Sequence, residues 1–231
     1  MDATTIVGGT PLGRIVVPRG VPDGFALFYT TLDYPGQITE AITDVAREQF
    51  GVECALYTCV QVHGKNVALA PARADCDALW TDRKHGALGI KVADCLPVTM
   101  IDPRRSVIAN VHSGWRGAAQ GITGATLATL ARDSAFDPRD ALAWLGPSIR
   151  VCCFEVGEEV VEQFPGRYVD RNRGRKAHID LVAMTAGVLR DAGVADEHII
   201  DTGLCTRCNG SIFHSFRRDG SGGRNLAIVA Q

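Results

Sequence analysis

The chain has 231 residues, of which 46% are hydrophobic and 22% are charged, and its formal net charge at pH 7 is −2. This length and apolar content predict one globular domain over residues 1–231, with a core large enough to need no disulfide bonds. The charge gives no basic surface for nucleic acid, and no apolar run reaches the roughly 18 residues of a membrane span, so neither partner is expected.

Cysteine usage is the distinctive part of the composition. The chain has eight cysteines, and the stretch from Met1 to Gly9 lacks the basic and apolar regions of a secretory signal peptide. These features predict a cytoplasmic protein whose cysteines are free thiols, metal ligands or a nucleophile rather than a disulfide framework.

The N-terminal part of the chain predicts short strands followed by a helix. Glycines and prolines separate two strands at residues 14–17 and 25–30. Apolar residues then recur at helical spacing over 38–50, with charged residues between them, which indicates an amphipathic helix.

A strand over 55–62 is predicted to end at His63, where an imidazole can project into a cleft. Residues between this strand and the next one, at 87–92, form a predicted loop. Its carboxylates Asp77 and Asp82 are candidates to support a nearby site, although solvated loop acids are commoner.

A β-hairpin is predicted around the turn sequence Asp-Pro-Arg-Arg-Ser. Its strands are residues 96–101 and 107–112, which are β-branched and apolar. With the turn centred on its first arginine, Leu96 faces His112. Cys95 then lies within a residue of the point opposite His112, so the hairpin brings a thiol and an imidazole near each other.

The C-terminal half is predicted to contain helices over 118–131, 158–164 and 181–193 and strands over 141–145 and 226–230. Asp180 is the expected N-cap of the third helix, and the basic run 167–176 is expected to be a solvated loop. The pair Cys205 and Cys208 has the C-x-x-C spacing of a metal knuckle or redox pair, but no second such pair stands at zinc-ribbon distance. The arginine- and glycine-rich segment 216–224 is either an anion-binding loop or a structural turn.

His63, Cys95 and His112 together form a sharper hypothesis than any one of them. Two imidazoles and one thiolate are a ligand set for zinc, and three protein ligands leave a fourth position for water or substrate. Zinc bound in this way would give an activated water nucleophile. The same Cys95 and His112 could instead act without metal as nucleophile and general base of a thiol hydrolase, and the spacing alone does not decide between them.

Five separated motifs resemble those of the YfiH-like laccase-domain family, in the family's order over roughly residues 60–231. They are Gln61-Val62-His63-Gly64, Ala93-Asp94-Cys95-Leu96-Pro97, Val111-His112-Ser113-Gly114-Trp115-Arg116-Gly117, Gly146-Pro147-Ser148-Ile149 with Cys153-Phe154-Glu155-Val156-Gly157, and the tail from Cys205 through Arg217-Arg218-Asp219-Gly220. The resemblance implies a single-domain mixed-sheet α/β sandwich shared with toxin-type glutamine deamidases. It also implies a zinc site of His63, Cys95 and His112.

The activities that the resemblance implies are phosphorolysis of adenosine, inosine and methylthioadenosine, together with adenosine deamination. Purine nucleoside and phosphate are then the expected partners, and the oligomeric state is left open. Catalysis is expected from Cys95, His112 and Arg116. The candidates for binding phosphate or another anion are Arg116, Gly117, Arg217 and Arg218.

Two departures from the family pattern concern the site. Ser148 stands where the family usually has the cysteine of a Gly-Pro-Cys-Ile motif, and the usual N-terminal Gly-Phe-Ser-Thr-Arg-type segment is replaced by Gly-Phe-Ala-Leu-Phe. The metal ligands are unchanged by either departure.

Three other functions remain as alternatives. One is an amidohydrolase with Cys95 as nucleophile, and another is a non-enzymatic zinc-binding module. The third is a copper-dependent polyphenol oxidase, since copper can replace zinc at a nitrogen and sulfur site. A multicopper cluster consumes many imidazoles, however, and the chain has only six histidines, so the oxidase is disfavoured.

Overall fold

The computed structural model describes residues 3–34, 36, 39–71, 75–220 and 222–231 of the chain. Within these residues the strands are, in chain order, β1 (Thr4–Thr10), β2 (Gly13–Pro18), β3 (Ala26–Thr30), β4 (Ala55–Tyr57), β5 (Val67–Leu69), β6 (Ala78–Thr81), β7 (Gly86–Val92), β8 (Leu96–Asp102), β9 (Val107–Ser113), β10 (Leu142–Leu145), β11 (Glu155–Val156), β12 (Val169–Asp170), β13 (Ala177–Ile179), β14 (Ile199–Asp201) and β15 (Asn225–Ala230). The α-helices are α1 (Thr39–Phe50), α2 (Trp115–Ala119), α3 (Ile122–Asp133), α4 (Glu158–Val161), α5 (Leu181–Asp191) and α6 (Phe216–Asp219).

Two large sheets face each other across an apolar layer. The first has the strand order β1-β2-β3-β15-β7-β4 and the second the order β14-β10-β8-β9-β6-β5, while β11, β13 and β12 form a small separate sheet. Most neighbouring strands are antiparallel, but β4 with β7, β5 with β6 and β10 with β14 are parallel. Side chains from both sheets meet in this layer, among them Leu27, Leu88 and Val229 from the first and Leu79, Ile101 and Trp144 from the second.

A buried amide joins the two sheets within this apolar layer. The Asn110 side chain, on β9, donates hydrogen bonds to the carbonyl oxygens of Leu88 at 3.0 Å and Ala227 at 2.8 Å in the facing sheet. Its own oxygen accepts from the Thr99 hydroxyl at 3.2 Å. Because a buried amide is costly unless its partners are in place, these bonds fix the position of one sheet on the other.

Helices cover the outer faces of both sheets. The buried face of α1, with Ile42 and Val45, packs on the first sheet, and α3 and α5 pack on the second through residues such as Leu130 and Leu189. The result is a four-layered arrangement of helix, sheet, sheet and helix, so the predicted mixed-sheet α/β sandwich is confirmed.

Several predicted elements differ from the observed ones. The strand predicted over 55–62 ends at Tyr57, and residues 78–81, predicted as loop, form β6, which lies between β9 and β5 in the second sheet. The helix predicted over 118–131 is broken into α2 and α3 at Gly121, whose φ of 82° lies in the left-handed region. Strand β1 was not predicted because its residues are mostly exposed and carry little apolar pattern.

Other predicted elements agree with the structure. The helix predicted over 38–50 is α1, although residue 38 lies outside the described residues. Asp180 caps α5 by accepting a hydrogen bond from the Ala183 N–H at 2.9 Å. The segment 216–224 begins with the short helix α6, and its residue 221 lies outside the described part of the chain. Among the described residues, no helix combines the length and apolarity needed to cross a membrane.

Candidate metal centre

The hairpin of β8 and β9 carries two of the three predicted ligands, with a register one residue away from the predicted one. Pro97, rather than Leu96, lies opposite His112, because the turn takes four residues, 103–106. Side chains alternate between the faces of a strand, so a shift of one residue changes which face meets which. In the observed register Cys95 lies on the same face as His112, whereas the predicted register would have placed them on opposite faces.

His63 lies in a loop after β4 rather than at a strand end, and its backbone adopts a φ of 60°. The fully buried carboxylate of Asp77 holds this loop: it accepts hydrogen bonds from the N–H groups of Val62 at 3.3 Å, His63 at 2.9 Å and Gly64 at 2.7 Å. A left-handed conformation is uncommon for a residue other than glycine, and here three hydrogen bonds to one carboxylate stabilise it. The loop presents the exposed His63 side chain to the hairpin.

The same Asp77 orients His112. Its Oδ1 lies 2.8 Å from Nδ1 of the buried His112 ring, a contact in which the ring nitrogen donates. Burial, together with the neighbouring His63, lowers the pKa of His112 from its usual 6.5, although Asp77 opposes this effect. His112 is therefore a neutral imidazole with its proton on Nδ1, which leaves the lone pair of Nε2 free for a metal ion.

Cys95 is the third member of the cluster. Burial raises the pKa of its thiol to about 12, and the Asp94 carboxylate adds to this rise, whereas the cations of Arg224 and Arg116 oppose it. Asp94 itself is held in a left-handed conformation, with a φ of 84°. The Thr206 hydroxyl and the Arg217 N–H, each at 2.6 Å, donate to the Asp94 carboxylate and fix the chain next to Cys95.

His63, Cys95 and His112 converge so that one ligand atom from each lies within 4.8 Å of the others. The rings of His63 and His112 meet edge to face, with centroids 4.8 Å apart. Gly114 leaves the space around these atoms open, because a Cβ atom there would lie 3.0 Å from the Cys95 Sγ and 3.3 Å from Cδ2 of His63. Two imidazoles and a thiol at this spacing fit a zinc or copper ion, since Asp77 fixes the tautomer of His112.

The predicted anion-binding residues fall into two groups. The Arg116 guanidinium lies 4.3 Å from the centre of the Trp115 ring and close enough to Cys95 to influence its pKa. Arg218, in contrast, donates from every nitrogen of its guanidinium group to Asp219 or to backbone carbonyl oxygens. One nitrogen of Arg217 donates to the Glu155 carbonyl oxygen at 2.8 Å. The contacts of Arg218 are those of a structural residue, and its role in anion binding stays a prediction.

Gly117 has a packing role in the structure. A Cβ atom at this position would lie 2.8 Å from the carbonyl oxygen of Gly64, so glycine allows α2 to approach the His63 loop closely. Its predicted part in anion binding stays a prediction. Two clefts of the described surface lie away from this centre: one of about 250 Å³ lies beside Arg150 and Arg190, and one of about 470 Å³ lies near Pro22.

Sequence reasoning missed some residues that shape this centre. Asp77 was one of two candidate carboxylates, and the other, Asp82, is exposed in the turn before β7. Arg224 was noted only as part of a loop, although its charge acts on Cys95. Asp94 was noted only as part of the motif around Cys95, and its supporting role was not predicted because it depends on Thr206 from a distant loop.

Comparisons with known proteins agree with this architecture. Residues 16–231 match the family model for multi-copper polyphenol oxidoreductase laccase. The chain is 38% identical over 151 residues to adenosine deaminase RL5 from an unknown prokaryotic organism, a match that covers 62% of this chain and 57% of that protein, less than two thirds of its length. It is 31% identical over 195 residues to purine nucleoside phosphorylase YlmD from Geobacillus stearothermophilus, covering 75% and 71% of the two chains.

The crystal structure of YlmD from Geobacillus stearothermophilus superimposes with a TM-score of 0.83 and 25% identity, and the alignment covers 100% of this chain and 99% of that one. The matched range 16–231 contains both facing sheets except β1 and part of β2, together with all three residues of the metal cluster. The chain therefore belongs to the laccase-domain family of YfiH and YlmD.

Proposed function

We propose that the chain is a zinc-dependent purine nucleoside enzyme that catalyses phosphorolysis of adenosine, inosine or methylthioadenosine and deamination of adenosine. The observation that carries the proposal is the convergence of His63, Cys95 and His112, with Asp77 fixing the tautomer of His112. The names of the relatives, an adenosine deaminase and purine nucleoside phosphorylases, support the substrate class.

Zinc at this centre would act as a Lewis acid and lower the pKa of a water molecule towards neutrality, which suits attack on C6 of a purine. The protein's own part is to position this chemistry. Asp77 holds the His112 ring and the His63 loop together, and Gly114 keeps the space beside Cys95 clear. The exposed side of His63 is the open approach for a substrate.

Phosphorolysis also needs a cation for phosphate near the reacting carbon. Arg116 and Arg224 are the best candidates, because both exposed guanidinium groups act on Cys95 from the side of the solvent. Each could form charge-assisted hydrogen bonds to phosphate oxygens. The helix α2 has only five residues, so its dipole adds little to this site.

The observations support the alternatives less well. A metal-free thiol hydrolase needs a reactive thiolate paired with an imidazole. The contact of Asp77 with Nδ1 of His112 would suit such a pair, but burial and the Asp94 carboxylate raise the pKa of the Cys95 thiol to about 12, which disfavours the thiolate. A single copper ion suits a His, His, Cys ligand set. A multicopper oxidase needs further imidazole clusters, and in the described part of the chain the other metal-sized group contains only cysteines.

The test is an assay of the purified protein with adenosine, with and without phosphate and with and without a zinc chelator. Adenine and ribose 1-phosphate are the expected products with phosphate, inosine is expected without it, and both reactions should stop after zinc removal and return with zinc. The His112→Ala variant should be inactive, whereas His198→Ala, which changes a histidine outside the cluster, should not. Absence of turnover in every condition would refute the proposal, and activity that survives complete zinc removal would favour the thiol mechanism.

A further inference from the structure

Four cysteines from two separate loops form a second cluster outside the candidate metal centre. Cys152 and Cys153 follow β10, and Cys205 and Cys208 follow β14, and the four sulfur atoms all lie within 4.8 Å of one another. Along the sequence, no second pair stands at zinc-ribbon distance from Cys205 and Cys208. The fold supplies that pair from an adjacent loop instead.

The two loops meet because their strands are parallel neighbours. Strand β10 pairs with β14 in parallel, with Leu145 opposite Asp201, so both strands leave the sheet at the same end. Their pairing continues beyond the strands, since the Ser148 N–H donates to the Leu204 carbonyl oxygen at 3.2 Å and the Thr206 N–H donates to the Ser148 carbonyl oxygen at 3.0 Å. The backbone therefore fixes the distance between the two pairs of cysteines.

Distances within the cluster fit a single tetrahedral ion. The Sγ atoms lie 3.7 Å apart for Cys152 and Cys153, 3.8 Å for Cys152 and Cys208, and 3.4 Å for Cys153 and Cys208. A Zn–S distance of about 2.3 Å gives a tetrahedron with edges of about 3.8 Å. The core of a multi-iron cluster would hold its cysteines further apart, and all four cysteines here are free thiols rather than disulfides.

We propose that Cys152, Cys153, Cys205 and Cys208 bind one structural zinc ion. Four thiolate ligands complete the coordination shell and leave no position for water or substrate, which distinguishes this site from the centre at His63. Binding replaces the thiol protons, which pass to the solvent, and no oxidant or reductant is needed. Arg207, whose guanidinium lies 3.6 Å from the Cys153 sulfur, offsets part of the negative charge of the thiolates.

This zinc ion would also stabilise the candidate metal centre. Thr206 lies between the two cysteines of the second loop, and its hydroxyl donates to the Asp94 carboxylate at 2.6 Å. Asp94 precedes Cys95, and its carbonyl oxygen accepts from the Ile149 N–H at 2.9 Å, in the loop that leads to the first cysteine pair. Both zinc-binding loops therefore contact the residue that positions Cys95.

The test is to measure zinc in a background where the other centre is removed. The His63→Ala, His112→Ala double variant, reconstituted with zinc and desalted, should retain one zinc ion per chain, and adding Cys152→Ser with Cys208→Ser should reduce this to none. Adding Cys54→Ser instead, at a cysteine outside both clusters, should leave the zinc content unchanged. Cobalt in the double variant should give the intense sulfur-to-metal charge-transfer absorption of four thiolates.

A second measurement needs no variant. Chelation of zinc from the wild-type protein under reducing conditions should make four additional thiols reactive towards a thiol reagent beyond any contributed by Cys95. An unchanged zinc content after Cys152→Ser with Cys208→Ser would overturn the proposal. Disulfide bonds among these cysteines, detected by mass spectrometry of protein alkylated immediately after purification, would overturn it as well. Neither outcome bears on purine turnover, so the proposal can fail while the proposed function stands.

Discussion

Asp77 and His112 form the contact on which the candidate metal centre depends, with Oδ1 of Asp77 2.8 Å from Nδ1 of His112. The same carboxylate accepts hydrogen bonds from the backbone of the His63 loop. One buried side chain therefore determines the tautomer of one candidate ligand, His112, and the position of another, His63. Removing a group that hydrogen-bonds a metal-binding side chain typically lowers metal affinity or activity about 10–100-fold.

Replacing Asp77 with asparagine should lower zinc affinity about 10–100-fold, because an amide nitrogen cannot accept the hydrogen bonds that the His63 loop and the His112 ring donate. Zinc affinity is measured by competition with a chromogenic chelator, and circular dichroism checks the fold. Asp82→Asn is the matched control, because Asp82 is exposed and lies outside the centre. Equal affinities of the two variants would show that Asp77 does not support the ligands.

The hairpin that carries Cys95 and His112 shows how far the sequence determines the site. Its apolar, β-branched strands and its proline turn are local signals, and they predicted both strands almost to the residue. The register depends on the length of the turn, which the hydrophobic pattern of the strands does not indicate. The Asp102 carboxylate accepts hydrogen bonds from the N–H groups of Arg104 and Arg105, which makes the turn four residues long and shifts the pairing by one.

The parts of the site that the sequence did not predict are long-range contacts. The support that Asp77 gives to His63 and His112 comes from a residue in a predicted loop that is in fact next to strand β6. The four-cysteine cluster depends on β10 and β14 being neighbours in the sheet, which no spacing along the chain encodes. The family motifs predicted His63, Cys95 and His112 as a set of metal ligands, whereas only the fold shows which residues support them.

Gly114→Ala should disrupt the centre without unfolding the protein. The added Cβ would lie 3.0 Å from the Cys95 Sγ and 3.3 Å from the His63 ring, closer than neighbouring side chains tolerate without moving. We expect weaker zinc binding and at least a tenfold loss of activity, because ligand geometry fixes metal affinity. Gly124→Ala, in α3, is the control, since its Cβ would meet nothing closer than 3.8 Å. Wild-type zinc affinity in Gly114→Ala would contradict the proposed position of the ion.

Ser148→Ala should leave activity unchanged. The Ser148 hydroxyl oxygen is buried and has no hydrogen-bond partner among the described residues, so its removal should leave the free energy of unfolding unchanged or raise it by about 1 kcal/mol. Thermal unfolding of the variant tests the expected stability, and its turnover tests the expected activity. A large loss of turnover with normal stability would assign the hydroxyl a catalytic contact. Ser148→Cys, which restores the usual family residue, should also be active.

Zinc affinity at the centre should increase with pH. The Cys95 thiol, with its pKa raised to about 12, is protonated throughout the neutral range when no metal is bound, so zinc must displace its proton. His112, with its pKa lowered from 6.5, is already neutral there and contributes no second proton. Affinity should therefore rise about tenfold per pH unit between about pH 7 and 9. Chelator competition with Cys152→Ser, Cys208→Ser protein measures this slope, and a flat profile would exclude Cys95 as a thiolate ligand.

Arg116→Ala and Arg224→Ala should impair phosphorolysis more than deamination. If their guanidinium groups bind phosphate, removing one loses a charge-assisted interaction of about 1.5–3 kcal/mol, which corresponds to a rise in KM for phosphate of roughly 10- to 150-fold. The phosphate-independent formation of inosine should change little. Arg132→Ala is the control, since Arg132 is exposed in α3 and pairs with Asp133.

Arg218→Ala tests whether Arg218 binds phosphate or only maintains the structure. Because its guanidinium donates only to Asp219 and to backbone carbonyl oxygens, its loss should lower the melting temperature and reduce both reactions together. A selective rise in KM for phosphate in Arg218→Ala, with no change in Arg116→Ala and Arg224→Ala, would move the phosphate site to α6. Equal losses of both reactions in all three variants would instead show that these arginines maintain the centre rather than bind phosphate.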